Sequence, residues 1–264
     1  MSEQLNQLLS IMATLRDPEK GCDWDKQQTF KSIVPHTLEE AYEVADAIEK
    51  DDMSGLRSEL GDLLFQVVFY AQLAKEQGAF DFNDVVSDLN DKLIRRHPHV
   101  FEKQQKLTDK ELEAQWQAIK TQERSSVKTT REQALWNDIP NMLPALSRAQ
   151  KIQKRAAALG FDWPDYLGAL DKVVEEVNEV SEALAEDPNS AHSAEELGDL
   201  LFATVNVARH AKHDPEQILR LACNKFVGRF EKVSDTLNLQ GLSLESATLE
   251  QMDNAWEQVK KQQG

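Results

Sequence analysis

Apolar side chains recur at Leu197, Leu200, Leu201, Val205 and Ala208, with Thr204 completing the row. The spacing i, i+3, i+4, i+7, i+8, i+11 marks one face of an α-helix. Leu60, Leu63, Leu64, Val67, Val68 and Ala71 repeat it. Ahead of the second stretch, Val173, Val174, Val177, Val180 and Leu184 form another such stripe. Between these helices, Asp187-Pro188-Asn189 predicts a turn over 186–194 and an antiparallel pair. Val, Ile and Thr nowhere alternate at length with polar residues, and the chain has only 10 Gly and 8 Pro. The pattern predicts an all-α protein.

The helical pattern is duplicated. ELGDLLF stands at 59–65 and again at 196–202. LEEAYEVADAI (38–48) matches VEEVNEVSEAL (174–184), NDKLIRRH (90–97) matches CNKFVGRF (223–230), and LEAQWQAIKTQ (112–122) matches MDNAWEQVKKQ (252–262). GCDWD (21–25) likewise resembles GFDWP (160–164). The order is kept and the offset drifts only from 133 to 140, as in a tandem duplication too long for a solenoid repeat. The expected domains are 1–122 and 143–264, joined by a polar linker at 123–142. A basic helix from Leu143 leads into the second copy, and Gly160 stops it.

Composition narrows the partners. The 264 residues carry a formal net charge of −16, which repels nucleic acid and anionic membrane. No apolar run approaches the ~18 residues of a membrane span, and the start lacks a signal-peptide pattern. The reading is a cytoplasmic protein with neither nucleic-acid nor membrane partners. Cys22 and Cys223 form no CxxC pair and are expected as free thiols.

The chemistry lies in acids set among the apolar residues. Glu196 and Asp199 are three apart, one turn from each other at the edge of the stripe. Glu176 and Glu179 have the same spacing on the preceding helix, with Glu175 four before Glu179. A single such pair is usually solvated helix surface. Two pairs facing each other across a helix interface lose hydration and repel, and a hard cation resolves the conflict. Oxygen ligands without Cys or His suit Mg²⁺, with Mn²⁺ able to substitute. A di-iron site would want Glu-x-x-His, which neither copy offers. Gly198 inside a helix predicts close approach of a backbone or ligand. Lys172, one turn before Glu176, and Lys225 and Arg229, four apart on a later helix, add the cations a polyphosphate needs. Trp256 reads as core, with stacking on a base as the other use. In the first copy the matching candidates are Glu40, Glu43, Glu59, Asp62, Lys92 and Arg96, with Arg95 adjacent and His36 where the second has Lys172. In RRHPHVF (95–101), Pro98 is expected to end a helix and leave His97 and His99 exposed. No P-loop, dinucleotide fingerprint or HExxH occurs.

Two EExxE…ELGDLLF units, the first after WDKQQTF (24–30) and the second after KIQKRAAALGFDW (151–163), each followed by a Lys/Arg helix, resemble the MazG family over nearly the whole chain. The resemblance implies two tandem helical-bundle domains, completed by homodimerisation, with the second the main catalytic one. It implies an Mg²⁺-dependent hydrolase that converts nucleoside triphosphates, ATP among them, to monophosphates and pyrophosphate. Broad specificity and the clearing of aberrant nucleotides are implied too. Carried over by motif, Glu176, Glu179, Glu196 and Asp199 hold metal. Lys172, Glu175, His192, Lys225, Arg229 and Trp256 contact nucleotide, and Glu175 is the spare carboxylate for deprotonating water. The family often has Lys where His192 stands, so a direct phosphate contact there is in question. The alternatives are a pyrophosphohydrolase of narrower substrate range and a nucleotide- or metal-sensing module with little turnover.

Overall fold

The computed structural model describes residues 3–102, 105–125, 136–137 and 139–263. Every regular element among the described residues is helical, in keeping with the all-α expectation. The chain divides into two compact units, Met1–Ser125 and Ser126–Gly264. Of the expected linker, 123–125 end a helix, while 126–135 and 138 lie outside the described residues.

Unit 1 contains α1 (Glu3–Leu15), α2 (Asp23–Gln27), α3 (Phe30–Glu49), α4 (Met53–Glu76), α5 (Phe82–Arg96), α6 (Pro98–Phe101) and α7 (Asp109–Ser125). Local chemistry sets the starts. Thr29 and Ser32 form a reciprocal capping box on α3, Asp81 and Asp84 do so on α5, and Asp52 caps α4. Asp51, at φ 53°, turns the chain sharply between α3 and α4, so the two helices pack as an antiparallel pair. Their core holds Met12, Ile33, Val68, Phe69, Ala71, Leu73 and Phe82. Arg16 braces α1 against α4 through a two-point ion pair with Glu76 and lies over the Phe69 ring.

Unit 2 contains α8 (Ala145–Ala158), α9 (Tyr166–Glu186), α10 (Ala191–His210), α11 (Pro215–Leu239) and α12 (Leu249–Gln263). Gly160, at φ 92°, closes α8 with a Schellman pair: Phe161 N–H donates to the Ala156 carbonyl and Gly160 N–H to that of Ala157. The α9–α10 turn is shorter than expected, only 187–190. Ser190 caps α10, and the buried Ser193 hydroxyl binds the Ala183 and Asp187 carbonyls. These bonds draw the helices together at the turn. α11 packs chiefly on α12 around Val233, Leu237, Ala255 and Val259.

Two expectations need correction. The stripes on α4 and α10 are only partly turned into the chain: Val68, Ala71 and Val205 are buried, but Leu60, Leu64, Val67, Leu197 and Leu201 are exposed, Leu201 by 59%. Val174 and Val177 on α9 are exposed as well. Periodicity identified an apolar face without saying what it packs against. Nor, among the described residues, does anything beyond the local helix backbone come within 4 Å of a Cβ placed at Gly61 or Gly198. The second correction concerns His97 and His99. Pro98 opens α6 instead of merely ending α5, and both rings are half-buried, His97 against Trp116.

Phe69 is fully buried at the centre of unit 1. Phe69→Ala is expected to lower stability by about 3–5 kcal/mol, read as a loss of urea midpoint in the full chain.

Candidate active site

The antiparallel α9–α10 pair brings acids from two helices together. Glu176, Glu196 and Asp199 each present an oxygen within 4.8 Å of the others. Glu176 is only 4% exposed, although it is a carboxylate. Its Oε1 takes a 2.7 Å ion pair from Lys172, while its Oε2 is buried with no hydrogen-bond partner. A buried carboxylate oxygen without a donor is costly and calls for a cation. Glu179 lies outside the three-oxygen cluster and is exposed. Desolvation pushes its carboxyl above the ordinary range, and Glu176, Glu196 and Glu175 push the same way against the opposing Lys172. It therefore shares the field of the cluster.

The other candidates divide. Glu175 is exposed and accepts a 2.7 Å bond from Lys172, so one ammonium bridges Glu175 and Glu176. The two carboxylates hold that lysine well above its usual pKa. His192 stands one turn before Glu196, with Nδ1 3.3 Å from its Oε1. Lys225 is exposed on α11 and Arg229 half-buried there, and neither belongs to the acidic cluster. Trp256 packs with the α11–α12 core, its ring 5.2 Å from that of Phe226.

Beside the acids opens a cavity of about 460 Å³, lined by Glu176, Asp199 and Lys172 at one side and by Phe161, Trp163 and Phe202 among its apolar walls. Asp162 anchors its entry loop to α10 through a two-point ion pair with Arg209. Gly168 is required here, because a Cβ would meet the Trp163 ring at 2.1 Å. Gln153 and Asn206 also line the cavity and are both buried. None of this wall was singled out from sequence except the GFDW recurrence. One available signal was Asn206, a polar residue where the first copy has Phe69.

The family profile of the MazG nucleotide pyrophosphohydrolase domain matches residues 28–101 and 166–234. A nucleoside triphosphate pyrophosphohydrolase of Escherichia coli (strain K12) is 52% identical over 98% of this chain and 98% of its own. The chain belongs to the MazG family. The nucleoside triphosphate pyrophosphohydrolase/pyrophosphatase MazG of Thermotoga maritima is 45% identical over 96% of this chain and 94% of its own. A solved mazG-related protein from Thermotoga maritima matches 44% of this chain and 98% of its own, with 26% identity and a TM-score of 0.38.

The two MazG copies differ in their sites. In unit 1, Glu40, Glu43 and Glu59 cluster within the same 4.8 Å. Desolvation, then Asp62, Glu43 and Glu59, raise the Glu40 carboxyl, so Asp62 acts on the group too. Glu40 is half-buried, however, unlike the buried Glu176. His36 lies 3.7 Å from Glu39. Lys92 is exposed, while Arg95 and Arg96 both bind Glu123, at 2.7 and 2.6 Å, and Arg96 lies over Trp116. The arginine matched to Arg229 is thus already engaged by a carboxylate of its own unit.

Hydrogen bonds from Arg96 and Arg95 hold the Glu123 carboxyl down at about 2, against an ordinary 4.5. A folded pKa below the unfolded one gives stability present above 4.5 and lost as pH falls towards about 2. Glu123→Gln is expected to remove that part of the acid limb, making urea stability less pH-dependent in this window than in the unaltered protein.

Proposed function

We propose that this MazG chain is a hydrolase that converts a nucleoside triphosphate and water to the monophosphate and pyrophosphate, and that unit 2 carries the reaction. One observation carries the reading: the buried Glu176, its Oε2 unpaired, clustered with Glu196 and Asp199 at the edge of a nucleotide-sized cavity. The names of the relatives, aligned over nearly the whole chain, support the reaction. The donor set is all-carboxylate, and the orphaned oxygen fits a hard cation, so Mg²⁺ is assigned, held by Glu176, Glu196, Asp199 and Glu179. When bound, Mg²⁺ neutralises phosphate oxygens and acidifies water.

The chain's own groups do the rest. Lys172, shared by Glu175 and Glu176, orders these two acids and adds positive charge at the cavity wall. Glu175, outside the metal set, takes the proton from the attacking water. Lys225 and Arg229 on α11 are assigned to charge on the departing pyrophosphate. His192, one turn from Glu196, is assigned to the phosphate side. Substrate scope is assigned as broad over ribo- and deoxyribonucleotides.

The exposed stripe of Leu197, Leu201, Val174 and Val177 is the surface assigned to a second copy, which completes the bundle. The open space over Gly198 admits close approach there. Among the described residues no helix is long and apolar enough to cross a membrane. A cytoplasmic setting is assigned, where the exposed Cys22 and Cys223 stay reduced.

Glu176→Ala and Asp199→Ala are each expected to lower Mg²⁺-dependent pyrophosphate release by about 100-fold or more, ligands mattering at least as much as their supports. Undiminished release in both variants overturns the assignment. For the dimer, Leu201→Asp is expected to sediment as a folded monomer at concentrations where the unaltered chain is a dimer. An unchanged sedimentation coefficient removes this face from the interface.

A further inference from the structure

We infer that the cavity between α8 and α10 is the nucleobase pocket, with Gln153 and Asn206 as its specificity-determining residues. The inference rests on the proposed reaction only in taking a nucleoside triphosphate as ligand. Three observations carry it. First, the cavity lies directly against Glu176 and Asp199, so a nucleotide with its phosphates at the acids has this space for its base. The walls from Phe161, Trp163 and Phe202 are flat and apolar, as a stacked heterocycle requires.

Second, the polar groups in the wall have fixed orientations. Gln153 is 7% exposed. Its Nε2 donates to the Phe202 carbonyl at 2.8 Å, which fixes the amide, because only the NH₂ end can face a carbonyl. Its Oε1 is then an acceptor, buried and without a partner. An apolar wall holding one orphaned acceptor selects a ligand with an N–H at that point. Asn206 is fixed in the opposite sense: its Oδ1 accepts from Arg209 Nε at 2.7 Å, leaving the amide NH₂ as a donor. An acceptor and a donor from adjacent helices match the edge of a base, where N–H and lone pair sit side by side. Each common base carries at least one edge N–H, so a single glutamine oxygen serves several bases and still rejects one without a donor.

Third, the other copy lacks these features. Offset by the same 137 positions as ELGDLLF, Ala203 and Asn206 correspond to Gln66 and Phe69. Both are buried, and Phe69 is part of the unit 1 core. Unit 2 carries a smaller residue at each position and is left with a cavity.

The test measures ATP and purine-riboside triphosphate, which lacks the exocyclic amine, on the full chain. Affinities come from calorimetry with Ca²⁺ in place of Mg²⁺, and pyrophosphate release is assayed separately with Mg²⁺. The unaltered protein is expected to bind ATP about tenfold tighter than the analogue, the scale of one buried hydrogen bond. Gln153→Leu is expected to erase that ratio by weakening ATP alone. Asn206→Phe, which imports the other copy's residue, is expected to weaken both nucleotides about tenfold or more while melting at or above the normal temperature. Equal affinity for both nucleotides in the unaltered protein, or an unchanged ratio in Gln153→Leu, overturns the inference, whether or not Asn206→Phe folds. Turnover without these binding differences overturns the base pocket and leaves the reaction standing. Binding differences without turnover do the reverse.

Discussion

The buried Glu176 carboxylate is the constraint to which the rest of unit 2 answers. A charge this deep needs partners, and the described residues supply the Lys172 ammonium on Oε1 and none on Oε2. The Ser193 hydroxyl ties the α9–α10 turn shut, so Glu196 and Asp199 are delivered to the same place. Like charges gathered in this way oppose folding unless something positive joins them. Desolvation raises the Glu179 carboxyl, and Glu176, Glu196 and Glu175 add to it against Lys172, so the field of the cluster extends to Glu179. Stability is thereby sacrificed locally so that the site is organised before a ligand arrives, the usual trade at sites that bind cations.

That same helix pair carries a second unsatisfied demand. α10 directs Ala203 and Asn206 at the cavity, and Leu197 and Leu201 away from it. A helix with function on one side and exposed leucines on the other leaves little surface suited to water. Among the described residues, nothing outside the helix's own backbone comes within 4 Å of where a Cβ on Gly198, between those leucines, would lie. The acidic cluster and the exposed leucines thus share one helix, so a change of packing on the leucine side reaches the carboxylates without passing through a loop.

Much of this was legible in the sequence, and the remainder was hidden for definable reasons. The acids were legible because i, i+3 spacing fixes a shared helix face, but the duplication did not tell which of the four come together: Glu179 stays outside the unit 2 cluster while its counterpart Glu43 joins that of unit 1. The helical class followed from periodicity, and the cap at Gly160 from residue type. Periodicity gave no direction for the stripe: Leu197 and Val205 belong to one pattern, yet only Val205 is buried in the chain. The cavity wall was hidden because Gln153 and Asn206 are far apart in sequence, and although Gln153 lies in KIQKRAAALGFDW, nothing in that stretch marks it as facing Asn206. Their meaning comes from the hydrogen bonds to the Phe202 carbonyl and Arg209 that fix each amide. Trp256 was assigned a choice between core and base stacking, and it lies with the α11–α12 core beside Phe226.

The duplication sets limits on how a copied site changes. Both units retain the acids, because Glu40, Glu43 and Glu59 still cluster. The differences lie around them. Phe69 stands where Asn206 keeps a cavity wall, Glu123 engages the arginine matched to Arg229, and His36 replaces Lys172. Only the first clearly turns a cavity-facing position into an internal one, an aromatic core residue; His36 lies beside Glu39 much as Lys172 lies beside Glu175. Such exchanges favour the folded unit, since a filled cavity and a paired charge cost less than an empty pocket and an orphaned oxygen. Unit 1 fills with Phe69 the position that lines a cavity in unit 2, and unit 2 has that cavity and the unpaired Glu176 oxygen among the described residues. The acids alone therefore do not distinguish the two copies; the side chains that leave room beside them do.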